Sequence, residues 1–426
     1  MLTNQQTPDL QPRSGQTPGL AYLVSRYPAI SHTFILREVL GLRALGLRIE
    51  VASINPPDRE LQAMAAEELR EAQATYCVKA HGAQGALRAL MWAICTRPIA
   101  LFRTLLAAMQ FGRGFKRLYA LTYAVEATMV GRWMEQQGLR HLHVHFGNEG
   151  AAVGLLVKTL NRTGFSLTVH GPDEFDDVAG QRIAQKIAAA DRVVCISQFA
   201  RSQLMRLSDP DHWTKLDLCR LGIDLVRFAP AQTPRAPGPV RLLSVGRLAP
   251  AKGQLLLIQA CAELLHQGLD FKLTIVGEGS QRTRLEACAN ELGLRNQIHF
   301  AGALNQVEVQ AQLRQADVFV LPSLAEGIPV VLMEAMASGV PCISCPVNGI
   351  PELIAHEHSG LFAAPGDVGS LAVQLERLIR NAGLRGELAR AGRLQVQSAF
   401  NFMANLGQLA RIFHQLPAVQ NSGAQR

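Results

Sequence analysis

Arg247 and Lys252 stand five residues apart behind an apolar run, in the segment LLSVGRLAPAKG at 242–253. Leu242 to Val245 reads as a strand, and a short loop opening at Gly246 leads into a helix, so both cations sit at the strand's C-terminal edge. Held there, they can neutralise a diphosphate and stabilise the further charge that develops as a nucleoside diphosphate departs. The plain alternative is a pair of solvated surface cations. A second signal lies at 321–334, LPSLAEGIPVVLME, where Glu326 and Glu334 are eight residues apart. Pro329 suits a first helical turn, which leaves Glu326 in the preceding loop and Glu334 about a turn and a half inside the helix. Backbone N–H groups between them, at Gly327, Ile328 and Val330, can meet a phosphate, with Pro329, which has no N–H to give, shaping the same donor-side loop. The loop carboxylate can accept from sugar hydroxyls, and the helical one can hold the vicinal hydroxyls of a ribose. An exposed loop residue and an ordinary surface helix residue are the alternative.

These groups need sheets behind them. The chain's 426 residues exceed what one core serves, since cores stop growing near about 250–300 residues. Short β-branched runs near 20–24, 49–54, 142–146, 166–169 and 192–196 alternate with helical patterns near 33–45, 86–95, 98–110, 119–137 and 198–206. The rhythm resumes at 241–244, 272–276, 298–300, 318–321 and 341–344. Strand, helix, strand repetition implies parallel sheets built from crossovers. The expected fold class is therefore α/β, with two Rossmann-like doubly wound parallel sheets whose C-terminal strand ends face a common cleft. The segment 228–240, with four prolines, reads as the linker between a first domain at 20–227 and a second at 241–400. Residues 1–19 read as a disordered leader, and 401–426 as a closing helix that could pack back across the hinge, followed by a tail.

Composition narrows the partners. Hydrophobic content of 48% with 6% aromatics fits a globular α/β chain, and a formal charge of +8 invites phosphate-bearing partners. No compact basic run with interleaved aromatics appears, so nucleic acid is not expected. The first residues lack the apolar core of a secretory signal, and the apolar stretch 89–111 is broken by Arg97, Pro98 and Arg103, so no membrane span is expected. The eight cysteines are scattered in apolar segments, as reduced core thiols would be, and the lone Cys342/Cys345 pair at strand spacing reads as packing. No GxGxxG fingerprint of a dinucleotide-dependent oxidoreductase follows a strand, no GxSxG elbow is present, and Asp209-Pro210-Asp211 follows a polar helix end instead of the apolar strand a metal-binding DxD requires.

The strings GRLAPAKG, IVGEGSQR and AEGIPVVLMEAMASGVPCI, in that order, resemble the donor domain of the retaining GT-B glycosyltransferases of glycosyltransferase family 4, over 241–365. The resemblance implies that Arg247 and Lys252 bind the donor diphosphate, Glu326 the donor sugar and Glu334 the ribose, and that Gly277, Glu278 and Gly279 form the next donor-side loop. In the first half, Val169-His170-Gly171-Pro172-Asp173 resembles the family's HGxD element, which would turn His170 toward the transferred sugar and makes Asp173 an acceptor-side candidate. Tyr22 to Glu38, YLVSRYPAISHTFILRE, resembles the opening of exopolysaccharide and colanic-acid-type members. Those commonly read SETFI where this chain has Ser31-His32-Thr33-Phe34-Ile35, so a role attributed to an acidic group cannot pass to His32, and Ser31 and Thr33 could instead cap the following helix. His141, His143 and His145 alternate on one strand and share a face, which raises a metal site. No fourth ligand is evident nearby, however, and HVHFGN resembles a family strand that would bring His145 and Asn148 to acceptor or donor.

The resemblance thus implies a cytoplasmic, metal-independent retaining hexosyltransferase with no cofactor, moving a sugar from a nucleotide-sugar donor, UDP before GDP, to a glycan or lipid-linked acceptor. Region 77–140 holds nine Lys/Arg, including Arg113, Lys116 and Arg117, against Glu126 and Glu135. With Trp92, Leu101, Phe102 and Phe115 it could rest on an anionic leaflet, or simply present a solvated basic face. A nucleotide-sugar epimerase or hydrolase of the same architecture, and a non-catalytic sugar-nucleotide-binding subunit, are the rival functions.

Overall fold

The computed structural model describes residues 19–111, 116–230 and 238–416. Residues 1–18, Arg113 and Phe115, and the side chains of Ser31, Lys116 and Arg117 lie outside the described residues. The first sheet comprises β1 (Gly19–Arg26), β2 (Arg48–Asn55), β3 (Tyr76–Cys77), β4 (His141–His145), β5 (Gly164–Val169), β6 (Arg192–Cys195) and β7 (Leu216–Leu218), in the order β3-β2-β1-β4-β5-β6-β7. The second comprises β8 (Val240–Val245), β9 (Phe271–Val276), β10 (Ile298–Gly302), β11 (Val318–Leu321), β12 (Cys342–Ser344) and β13 (Leu361–Phe362), in the order β10-β9-β8-β11-β12-β13. Pairing is parallel throughout both sheets.

Helices cover both faces of each sheet, so strands such as VFVL in β11 are buried along their length and read as continuous apolar runs. In each sheet the strand order reverses at one place, between β1 and β4 and between β8 and β11. Loops leaving the two strands diverge there, and a crevice opens beyond their C-terminal ends. His32 and Phe146 follow β1 and β4; Arg247 and Glu326 follow β8 and β11.

The closing helix Phe402–His414 lies on the first sheet, with Leu406, Leu409, Ile412 and Phe413 in one core with Tyr22, Val24, Ile35 and Val39. Gly41 lets it approach the helix Thr33–Ala44, since an added Cβ would meet Leu406 and Phe402. Phe228 is fully buried in the second domain's core.

A candidate active site at the seam of two sheets

The second sheet shapes its loops with glycines that nothing larger could replace. Gly277 and Gly279 have φ of 139° and 158°, and a Cβ on either would run into the carbonyl oxygens of Gly246 and Leu248. The two loops are laced together: Gly246 N–H bonds Val276 O at 3.0 Å and Leu248 N–H bonds Glu278 O at 2.9 Å. Lys252 Nζ reaches Glu326 Oε1 at 2.5 Å, and Ser323 Oγ donates to the same oxygen at 2.8 Å. Glu326 is 7% exposed, so it is not the surface loop residue of the alternative reading; it is a buried carboxylate that fixes the lysine. Arg247 is exposed, and among the described residues only its carbonyl is engaged, by Ala249 N–H and Gln254 Nε2, both at 2.9 Å.

Pro329, with φ −70°, is the N-cap of the helix Val330–Ala337 and not part of its first turn, so Glu334 is the fifth helical residue. Glu334 is also buried, which raises its carboxyl to about 7; Arg37 and the Gln306 amide, at 3.3 Å, pull the other way. Glu278 does not face this group: it is exposed and paired with Arg282.

The first domain supplies the opposite wall. The His170 carbonyl oxygen abuts Gly327 so closely that a Cβ on Gly327 would collide with it. Arg37 approaches Glu334, and Arg247 is near enough to His32 to disfavour its protonation. Behind the seam, Glu352 accepts from Phe199 N–H at 2.9 Å and pairs with Arg220 at 3.0 Å.

His170 is held by a carboxylate that sequence reasoning missed. The buried Glu174 accepts from the N–H groups of His170 at 2.5 Å, of Gly171 at 2.8 Å, and of Gly147. Asp173, the candidate at the HGxD position, is exposed on the short 3-10 turn Pro172–Phe175 and plays no such part. Lys186, fully buried, donates to the Gly147 and Asn148 carbonyls, both at 2.7 Å. Burial pushes Glu174 up to about 7 and Lys186 down to about 7.

Two other expectations are corrected, those for Thr33 and His145. Asn148 caps the helix Glu149–Asn161, its side-chain oxygen accepting from Gly150 N–H at 3.2 Å. The helix beginning at Thr33 has His32 as its N-cap with no side-chain cap bond, so Thr33 is its first residue and not its cap, and the Ser31 side chain lies outside the described residues. His145 is fully buried and cannot itself touch an acceptor; it bonds Glu38 Oε1 at 3.1 Å and His170 Nε2 at 3.0 Å. Glu38 lies on the same helix as Thr33, and with His143 and His145 it forms a set whose ligand atoms lie within 4.8 Å of one another. Both His143 ring nitrogens are taken, by Ser166 Oγ at 2.8 Å and Thr168 Oγ1 at 2.9 Å, so the set is arranged as a hydrogen-bonded core.

Phe146 connects the two halves of this wall. Its φ of 71° is a left-handed conformation that costs a bulky residue on the order of 1–3 kcal/mol and persists where the surroundings impose it. It sets the ring 4.9 Å from His32 and 4.5 Å from His170, with Phe34 5.0 Å from His170. Burial lowers both imidazoles, His32 to about 4, and each keeps a buried Nδ1 with no partner among the described residues.

Two Rossmann-like sheets with their switch points facing across a seam define the GT-B class of glycosyltransferase fold. Solved structures agree on the fold: sucrose-phosphate synthase from Thermosynechococcus elongatus superposes with a TM-score of 0.71 at 19% identity, covering 93% of this chain and 98% of that one. HepE of Anabaena, solved with UDP and glucose, superposes with a TM-score of 0.70 at 16% identity, covering 93% and 100%. The profile of the family "Glycosyl transferases group 1" matches residues 227–395. The amylovoran biosynthesis glycosyltransferase AmsK of Erwinia amylovora is 30% identical over 414 residues, 93% of this chain and 99% of that protein. WcaL of Salmonella typhimurium, named for colanic acid biosynthesis, is 29% identical over 92% and 98% of the two chains. The chain belongs to the group 1 glycosyltransferases.

Proposed function

We propose that this glycosyltransferase is a retaining, metal-independent hexosyltransferase of glycosyltransferase family 4 that takes a sugar from a UDP-sugar and adds it to a glycan or lipid-linked oligosaccharide during cell-surface polysaccharide synthesis. One observation carries the reading: Lys252 and Glu326 meet at 2.5 Å at the second sheet's switch point, with Arg247 on the same loop as Lys252. That edge is where a diphosphate would rest, with Arg247 and Lys252 on its oxygens, Glu334 on the ribose, and the N–H groups of Ile328 and Val330 toward phosphate. Glu326 serves the sugar and steadies Lys252. UDP is favoured because HepE was solved with UDP, and polysaccharide synthesis because AmsK and WcaL are named for it.

The acceptor hydroxyl attacks the anomeric carbon from the face that the nucleotide leaves. The C–O bond to the diphosphate breaks, and the hydroxyl proton passes to the departing phosphate oxygen while the two cations carry the developing charge. His170 contacts the transferred sugar. Screening nucleotide sugars by thermal shift and then assaying hits on a lipid-linked oligosaccharide panel tests this. An α-linked product from an α-linked donor is expected; inverted linkage refutes retention, donor cleavage without acceptor supports the epimerase or hydrolase alternative, and binding without turnover supports the non-catalytic one.

A second element of the proposal is a cytoplasmic location with peripheral contact to an anionic leaflet. Between Glu71 and Glu126 the chain has no acidic residue. The helices Gly82–Thr96 and Pro98–Ala108, with Met109 just beyond, turn Leu87, Met91, Ile94, Ile99, Phe102, Leu106 and Met109 outward at 48–70% exposure, interspersed with exposed Arg88 and Arg103. Such a face suits the headgroup boundary. Leu101, by contrast, packs inward against Ala93 and Leu160. No described helix is long and apolar enough to cross a membrane. Sedimentation with phosphatidylglycerol vesicles at low salt is expected, and is expected to weaken in Ile99→Glu; absence of binding refutes this element.

A further inference from the structure

We propose that Glu38 and His145 are positioning residues that hold His170 as the tautomer with a bare Nδ1, so that this nitrogen accepts a hydrogen bond from a hydroxyl of the transferred sugar. The inference rests on the assignment of His170 to that sugar, made above. The hydrogen bonds form one unbroken line. Tyr22 Oη donates to Glu38 Oε1 at 2.8 Å, His145 Nε2 meets the same oxygen at 3.1 Å, and His145 Nδ1 meets His170 Nε2 at 3.0 Å. Every member is buried, with His145 wholly so.

An ionised carboxylate only accepts, so the proton between Glu38 and His145 sits on His145 Nε2. A neutral His145 ring then has a bare Nδ1, which must accept from His170 Nε2–H. A neutral His170 is left with its lone pair on Nδ1. Burial, reinforced by His145 and His32 nearby, favours that neutral form. The line thus ends on an acceptor, and that acceptor is buried with no partner among the described residues. Buried polar atoms are rarely left so, because the desolvated lone pair is costly. The ring is clamped by Phe34, Phe146 and His145, and its backbone oxygen abuts Gly327 at the seam, where a sugar hydroxyl would supply the missing donor. An unconstrained ring could offer that hydroxyl either a donor or an acceptor; the carboxylate removes the choice.

Long-range 15N–1H spectra of the full chain, labelled in histidine and assigned by loss of signals in His170→Asn, read the tautomer without any substrate. The expected wild-type spectrum shows a pyridine-type Nδ1 and a pyrrole-type Nε2 at His170. A proton on Nδ1, as an imidazolium at His145 would impose, overturns the proposal outright, and this measurement needs no altered relay to fold. In Glu38→Met the His170 signals should shift toward the other tautomer, and kcat should fall about 5- to 10-fold, the worth of one neutral hydrogen bond. Glu38→Gln, which keeps an oxygen toward Tyr22 and His145, should recover most of that loss; equal loss in both variants refutes the acceptor role. If His170→Ala leaves transfer unchanged while the tautomer is as expected, the sugar assignment fails and the relay stands. If His170→Ala abolishes transfer but Glu38→Met alters neither spectrum nor rate, the relay fails and the assignment stands.

Discussion

Arg247→Ala tests the phosphate edge with little interference from folding. The guanidinium is exposed and, among the described residues, no hydrogen bond or ion pair engages it; Gln254 holds only the backbone carbonyl. Truncation should therefore leave stability within about 0.5 kcal/mol. If the side chain meets charge that develops on the departing diphosphate, its loss should cost about 2.7–4 kcal/mol of transition-state stabilisation, or about 10²–10³ in kcat. Lys252→Ala should behave differently. It leaves the carboxylate of Glu326, 7% exposed, with Ser323 as its remaining partner, and so should add about 1–3 kcal/mol of destabilisation to a comparable kinetic loss. Nucleoside diphosphate release with donor and acceptor present gives kcat and KM, and a thermal melt gives the stability difference. A folded Arg247→Ala enzyme that retains wild-type kinetics would refute the charge-stabilising role, and equal melting losses in both variants would refute the asymmetry between a free cation and a paired one.

Three further outcomes follow from the same geometry. Burial raises Glu334 from 4.5 to about 7, so its contribution to stability is whole below pH 4.5 and is lost as pH rises through about 7. Glu334→Gln should remove up to about 3 kcal/mol of that decline, read as a flatter melting temperature between those pH values; an unchanged slope contradicts it. Gly327→Ala places a Cβ against the His170 carbonyl oxygen and should part the domains, lowering kcat and enlarging the radius of gyration in solution scattering, while a variant as compact and active as wild type would show that the seam yields at no cost. Glu174→Gln should cost about 1–3 kcal/mol, because one carboxylate serves three backbone N–H groups; a melting temperature equal to wild type would contradict this.

Much of the scaffold was legible because it is written locally. Apolar runs followed by helical periodicity marked the helix starting at Thr33, observed to Ala44, and the closing helix from Phe402, observed to His414. The loops after β8 and β11, expected to meet the donor, could be placed because each packs residues close in sequence between a strand end and a helix start, as Gly246 to Lys252 do. What escaped was the first domain's wall, and the reason is sequence distance. Glu38 meets His145 across 107 residues, and Glu352 meets Phe199 across 153, pairings that no local pattern announces. The alternation of His141, His143 and His145 correctly signalled one shared face. It could not say that the face is closed over by the helix carrying Glu38 and by Phe413, 4.9 Å from His143. Without that cover the histidines look like ligands awaiting a metal. With it, His143 satisfies buried hydroxyls and His145 passes the direction of a carboxylate to His170, whose backbone also touches the opposite domain's Gly327. The contrast follows from burial: the loop after β8 keeps Arg247 exposed, whereas the first sheet keeps desolvated rings whose polarity is set from behind.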